Sequence, residues 1–160
     1  MAAWGNFFFA QVGASAALVG LIFVAVSINL TKILAIPHLP NRALEALAIL
    51  VVILIVSSLA LVPDQSDDLL GVEILVIGIA IWLISTWLNI VTVRQTEVRY
   101  VGYARFKFVF HQLVVLPYIF AGISLMMWGL SGLYWLVPAI ILSYIKSLTD
   151  AWVLLVEINR

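Results

Sequence analysis

Five long apolar stretches, parted by short polar connections, take up almost the whole chain. The first runs from about Asn6 to Leu30 and closes at Thr31-Lys32. The second runs from about Arg42 to Val62, with Asn41 as its predicted N-cap and Pro63 as its stop. The third spans about Leu69 to Val93. The fourth spans about Phe106 to Leu130, with Pro117 inside it as a predicted kink. The fifth begins near Leu133 and continues through Pro138 to about Ile158, longer than a crossing needs. A helix of about 20 apolar residues crosses the hydrocarbon core of a bilayer. The pattern therefore predicts an all-α, polytopic integral membrane protein with five transmembrane helices in a single domain covering residues 1–160.

Composition agrees with that pattern. The chain is 65% hydrophobic and 10% charged, with a mean hydropathy of +1.20. Soluble domains sit near about 45–50% apolar and about 25% charged. A soluble fold of this size has no way to hide so much apolar surface, so lipid is the expected solvent. The absence of cysteine excludes a disulfide framework and any cysteine-based metal or redox site. The opening "MAAWGNFFF" lacks the basic region of a signal peptide, so the first stretch is expected to be a retained span.

Lys and Arg set the orientation, because they gather on the cytoplasmic side. "TKILAIPHLPNR" holds Lys32 and Arg42, and "RQTEVRYVGYARFK" holds Arg94, Arg99, Arg105 and Lys107. "PDQSDD", "GLSG" and the N-terminal segment hold none, while Lys146 and Arg160 lie toward the end of the fifth stretch. With the N-terminus outside and the C-terminus in the cytoplasm, all eight basic residues share one side. Trp4, Phe7 to Phe9, Trp128, Tyr134 and Trp135 then form an outer aromatic belt, with Tyr100 and Tyr103 at the inner surface.

The first helix carries a second pattern. Asn6, Ala10, Gly13, Ala17, Gly20, Val24, Ser27 and Thr31 succeed one another at alternating steps of four and three. All are small or polar except Val24, and they form one seam across the full membrane thickness. Val12, Val19, Phe23, Val26 and Leu30 lie roughly opposite. Between membrane helices, small residues permit the close approach on which association depends. The seam is therefore a helix-packing surface, either against another helix of the same chain or against sister copies around a pore.

The segment "FFFAQVGASAALVGLIFVAVSINL" resembles the opening helix of a family of small, uncharacterised bacterial membrane proteins, some labelled as modulators of the FtsH protease. The resemblance covers the first 30 residues and implies a bacterial inner-membrane location and a membrane-protease partner. "SAALVGLIFVAVSINL" is also similar to the pore helix of Orai channels, which implies a conducting role for this helix. Orai carries an acidic selectivity residue there, has four spans and keeps its N-terminus inside; the first helix here has no Asp or Glu.

Ionisable residues within spans are candidates for function. Lys146 and Asp150, at i and i+4, predict an intramembrane ion pair or the wall of a solvated cavity. Lys146 is placed about 20 Å along a helix that starts at Leu133. Glu45 is expected to pair with Arg42, and His111 and Gln112 are candidates to join the Lys146 group. Asp64, Asp67, Asp68 and Glu73 form an outer acidic cluster, either interfacial carboxylates or a vestibule that concentrates cations. His38 sits between two prolines in a stiff loop.

No catalytic residue stands out. "GLSG" at 129–132 matches the Gly-x-Ser-Gly pattern of rhomboid proteases, but Ser131 and His111 are about 30 Å apart at helical rise. A turn is the expected role of that motif. Two histidines without cysteine give no metal-ligand density, and no phosphate-loop, zincin or dinucleotide motif occurs. The sequence therefore points to a non-enzymatic, homo-oligomeric membrane protein without cofactor or metal, most concretely a small ion channel with the first helix near its axis. The alternative is a non-conducting accessory protein bound to another membrane protein. Membrane lipids and sister copies are the expected partners, and no nucleic-acid platform is present.

Overall fold

The structure, a computed structural model, describes residues 2–36, 39–95 and 101–158. Side chains are described for all of these except 2, 3, 88, 89, 91–95, 101, 103–105, 107 and 158. His38, Arg99, Tyr100 and Arg160, and the side chains of Arg94, Tyr103, Arg105 and Lys107, thus lie outside the described residues. Within them the elements are α1 (Ala2–Ile28), α2 (Leu30–Ala35), α3 (Leu39–Leu59), α4 (Asp67–Gln95) and α5 (Val101–Trp128). A 3₁₀ segment (Gly129–Trp135) then leads into α6 (Leu136–Ile158). No strand occurs among the described residues.

Among the described residues, four stretches are long and apolar enough to cross a membrane: Trp4–Ile28, Leu39–Leu59, Asp67–Trp87 and Phe108–Glu157. The last of these is 50 residues long and takes in most of α5, the 3₁₀ segment and most of α6.

Several helix ends differ from the sequence-based expectation. The connection after α1 is itself helical, as α2, because Ile33 is drawn into an apolar cluster with Leu39, Ala43 and Leu154. Asn29 marks the break; its side-chain amide donates to the Ala25 carbonyl at 2.9 Å, in competition with the helix's own ladder. Asn41 is not an N-cap, since α3 begins at Leu39 and places Asn41 inside the first turn. Pro40 is tolerated there, where a missing N–H leaves no helical bond unmade. The last helix starts at Leu136, not Leu133, which puts Pro138 in its first turn for the same reason. The "GLSG" motif opens the 3₁₀ segment, with Gly129 in the left-handed region at φ 60°.

The chain divides into two compact units, Met1–Asp64 with Ser143–Arg160, and Gln65–Leu142. In the first unit, α1 packs along α3, and the C-terminal part of α6 joins them. Its core holds Phe8, Leu39, Ala46, Leu50, Ile53 and Leu154. In the second unit, α4 and α5 run antiparallel, and their contact is set by glycine. A Cβ built at Gly122 would meet the Leu75 backbone nitrogen at 2.7 Å and the Gly71 carbonyl oxygen at 2.8 Å. Gly78, seven residues beyond Gly71, lies against Ile119 in the same way, with its virtual Cβ 3.2 Å from the Ile119 nitrogen. The two backbones approach as closely as Gly permits, the packing mode of membrane helices. The sequence reading missed this seam. Its signal was present, because Gly71 and Gly78 repeat at the same heptad interval as Gly13 and Gly20.

Candidate functional site

Seven of the eight seam residues, Asn6 to Ser27, lie on the exposed side of α1, and Thr31 falls on α2, beyond the break at Asn29. Asn6, Ala10, Gly13, Ala17, Gly20, Val24, Ser27 and Thr31 are all exposed. A Cβ built at Gly13 or Gly20 has no atom within 4 Å. The side that packs within the unit is the opposite one, where Phe8, Ser15 and Ile22 are buried at seven-residue intervals. Ser15 meets its hydrogen-bonding need inside α1, donating to the Gln11 carbonyl at 2.6 Å. Within its own unit, α1 therefore packs through the face opposite the small-residue seam.

Lys146 and Asp150 meet at 2.6 Å on α6, and they do not stand alone. Lys146 Nζ also lies 3.5 Å from Glu45 Oε2 on α3. Arg42 of α3 reaches Asp150 at 3.8 Å through Nε and Glu157 at 3.2 Å through a terminal nitrogen. Because α3 and α6 run antiparallel, Arg42 near the start of α3 faces the end of α6. Ser147 Oγ donates to the Ala46 carbonyl at 2.9 Å and pins the same register. The result is a lattice of two cations and three carboxylates across one helix pair. The Lys146 side chain is 3% exposed and that of Glu157 is 32% exposed, so the lattice grades from sealed to open along α6. Lys146 lies about 15 Å from the start of α6, nearer than the sequence expectation because the helix begins later. Spacing in the sequence gave the Lys146–Asp150 pair but not Glu45 or Arg42 as partners from α3.

A separate group of polar contacts ties α4 to α5. Trp82 Nε1 donates to Gln112 Oε1 at 2.6 Å, and Gln112 Nε2 donates to Thr86 Oγ1 at 3.2 Å. His111 Nε2 lies 2.6 Å from Ser85 Oγ, with both residues buried. Ser85 Oγ also lies within hydrogen-bond reach of the Ile81 and Trp82 carbonyls of its own helix. The contact is a cross-link between helices.

No protein-family model, curated protein or solved structure matches the chain.

The acidic residues gather at the turn before α4 and along its first two turns. Ser66 Oγ accepts the Leu69 N–H at 3.3 Å, and Asp67 and Asp68 occupy the first turn of α4, where carboxylates favour the positive end of the helix dipole. Glu73 accepts from Gln65 Nε2 at 2.5 Å. Asp64 takes a positive φ of 57° in the turn before them. Among the described residues, no three His, Asp or Glu side chains converge on a site for a metal ion.

Proposed function

We propose that the chain is a homo-oligomeric membrane protein that assembles through the exposed seam of α1, most concretely a small ion-conducting pore with α1 beside the symmetry axis. The observation that carries this reading is the exposure of the seam from Asn6 to Ser27 on the side of α1 opposite its packing face, with Thr31 exposed on α2. Small residues at the surface of a membrane helix gain nothing from lipid, whereas they let a second helix approach closely. Asn6, Ser27 and Thr31 add polar atoms that hydrocarbon does not satisfy and that a partner helix or pore water does.

In this reading the chain crosses the membrane five times, because a 50-residue apolar stretch is about 75 Å of helix, enough for two crossings with a turn at the 3₁₀ segment. The N-terminus is outside and the C-terminus cytoplasmic, as the basic residues require. The membrane is the bacterial inner membrane, following the resemblance of the first helix. The lattice of Arg42, Glu45, Lys146, Asp150 and Glu157 then holds α3 to α6 at the cytoplasmic side, behind the pore helix. The resemblance also favours a second reading, a non-conducting accessory protein that offers the same seam to another membrane protein such as a membrane protease.

Native mass of the protein in detergent or nanodiscs, paired with ion flux into liposomes, tests the proposal. Gly20→Trp and Val24→Trp are the informative variants, since the Gly20 site is open within the chain and Val24 is 55% exposed. The expected result is an oligomer whose flux changes in both variants while the single chain stays folded. A strictly monomeric native mass refutes the pore. An oligomer or hetero-complex without flux at any voltage supports the accessory reading.

A further inference from the structure

An apolar groove of about 290 Å³ opens on the first unit between α1 and α6. Leu21 and Ala25 line it from α1, and Leu148, Trp152 and Leu155 line it from α6. Its rims are well exposed, with Leu21 at 67% and Trp152 at 69%. Resting on the ring reading above, the position of this groove names the contact between neighbouring copies.

At roughly 100° per residue, Leu21 lies about 80° to one side of the Gly20–Val24 line and Phe23 about 80° to the other, so Phe23 stands on a flank of the seam and not opposite it, where Ile22 is buried. The groove and Phe23 thus flank the seam on opposite sides, two residues or about 3 Å apart in height. Phe23 is 63% exposed and projects away from the packing face of its own helix. In a cyclic ring each copy presents one flank to the next copy's other flank, and the rotation keeps every residue at its own depth. When the seam faces the axis, Phe23 of one copy comes level with the groove of its neighbour. Stable interfaces bury on the order of 1,000 Å² or more, and glycine and alanine offer little side-chain area. The flanks of the seam must therefore supply the contact area, and an aromatic side chain brings a large area at small ordering cost. We propose that each copy's Phe23 seats in the α1–α6 groove of the next copy, a head-to-tail contact that closes the ring.

The chain has no cysteine, so introduced thiols report without background. Phe23→Cys and Trp152→Cys are placed in separately tagged full-length chains, co-expressed, and oxidised in membrane vesicles. A disulfide joins them only if the two backbones come within about 7 Å. The expected result is a mixed dimer at least ten times more abundant than either homodimer, and a ladder of linked species when one chain carries both substitutions. Leu148→Cys, on the same rim at 48% exposure, replaces Trp152→Cys if that variant does not fold. Efficient Phe23→Cys homodimers overturn the proposal in favour of a two-fold contact. An oligomeric native mass without any cross-link overturns it in favour of lipid in the groove. A monomeric native mass overturns the ring itself, which separates failure of this contact from failure of the assembly.

Discussion

Replacing Gly122 by Ala adds one methyl group where α4 and α5 touch. The new Cβ would stand 2.7 Å from the Leu75 nitrogen and Cβ and 2.8 Å from the Gly71 carbonyl oxygen. Ordinary carbon contacts lie near 3.5–4.0 Å, so the two helices must separate by about 1 Å. Two of those neighbours are backbone atoms, which cannot turn aside as the end of a flexible side chain can. Overpacking of this kind costs about 1–3 kcal/mol. Alanine is favoured over glycine within a helix by about 1 kcal/mol, which offsets part of the loss. A net loss of about 1–2 kcal/mol is expected, because separation at Gly122 also strains the hydrogen bonds along the same helix pair, Trp82–Gln112 among them. Gly20→Ala is the control of opposite sign: its Cβ meets no atom within 4 Å, so the single chain keeps the helix-propensity gain of up to about 1 kcal/mol. Both variants are compared with the parent by tryptophan fluorescence during SDS-driven unfolding in mixed micelles, at a detergent ratio that disperses the copies. A Gly122→Ala chain as stable as the parent, or a Gly20→Ala chain destabilised to the same degree, would refute the close-packed α4–α5 contact.

The buried lattice gives a further set of expectations under the same unfolding assay. Lys146→Met leaves Glu45 and Asp150 facing each other across a nearly sealed space and is expected to destabilise by about 3–5 kcal/mol. Adding Glu45→Met to that chain removes one of the two facing carboxylates and is expected to restore at least half of the loss, and no recovery argues against the contact. Gln112→Leu removes both of its hydrogen bonds to α4, and a loss of about 0.6–1.7 kcal/mol is expected; a neutral result argues that Trp82 and Thr86 find other partners. Ser147→Ala removes the bond to the Ala46 carbonyl and should cost about 0.5–1.5 kcal/mol in the same titration.

Local patterns in the sequence carried the helices, and the contacts between distant helices were not legible. Apolar runs are a property of neighbouring residues, so α1, α3 and α4 were visible in outline from composition alone. The i, i+4 spacing made the Lys146–Asp150 pair visible for the same reason. Arg42 and Glu157 are 115 positions apart, and nothing local to either shows that antiparallel packing of α3 on α6 brings them together. His111 is a sequence candidate for the Lys146 group, but nothing local to it shows its contact with Ser85, 26 residues upstream on the antiparallel neighbour. Helix ends were missed where tertiary packing overrides the local signal. Ile33 makes a helix of a segment with the proline-flanked look of a loop, because burying it against Leu39, Ala43 and Leu154 rewards the turn.

The two glycine seams show where sequence pattern stops and structure begins. Gly13 and Gly20 in α1 repeat at seven residues, as do Gly71 and Gly78 in α4. The periodicity is the same, and the physical rule is the same: glycine lets one helix backbone approach another. In α4 the approaching backbone is that of α5, and the virtual Cβ of Gly71 falls 3.0 Å from the Gly122 carbonyl oxygen. In α1 those contacts are empty, while Phe8, Ser15 and Ile22 hold the opposite face against the chain's own core. A lipid-facing helix has no need to keep glycine, alanine, serine, threonine and asparagine along one line, because lipid chains pack equally well on leucine. In the proposed assembly, the rule that is satisfied inside the chain at Gly71 and Gly78 is satisfied by a second molecule at Gly13 and Gly20. For that reason a bulky substitution at Gly20 separates assembly from folding, and the same substitution at Gly78 would confound them.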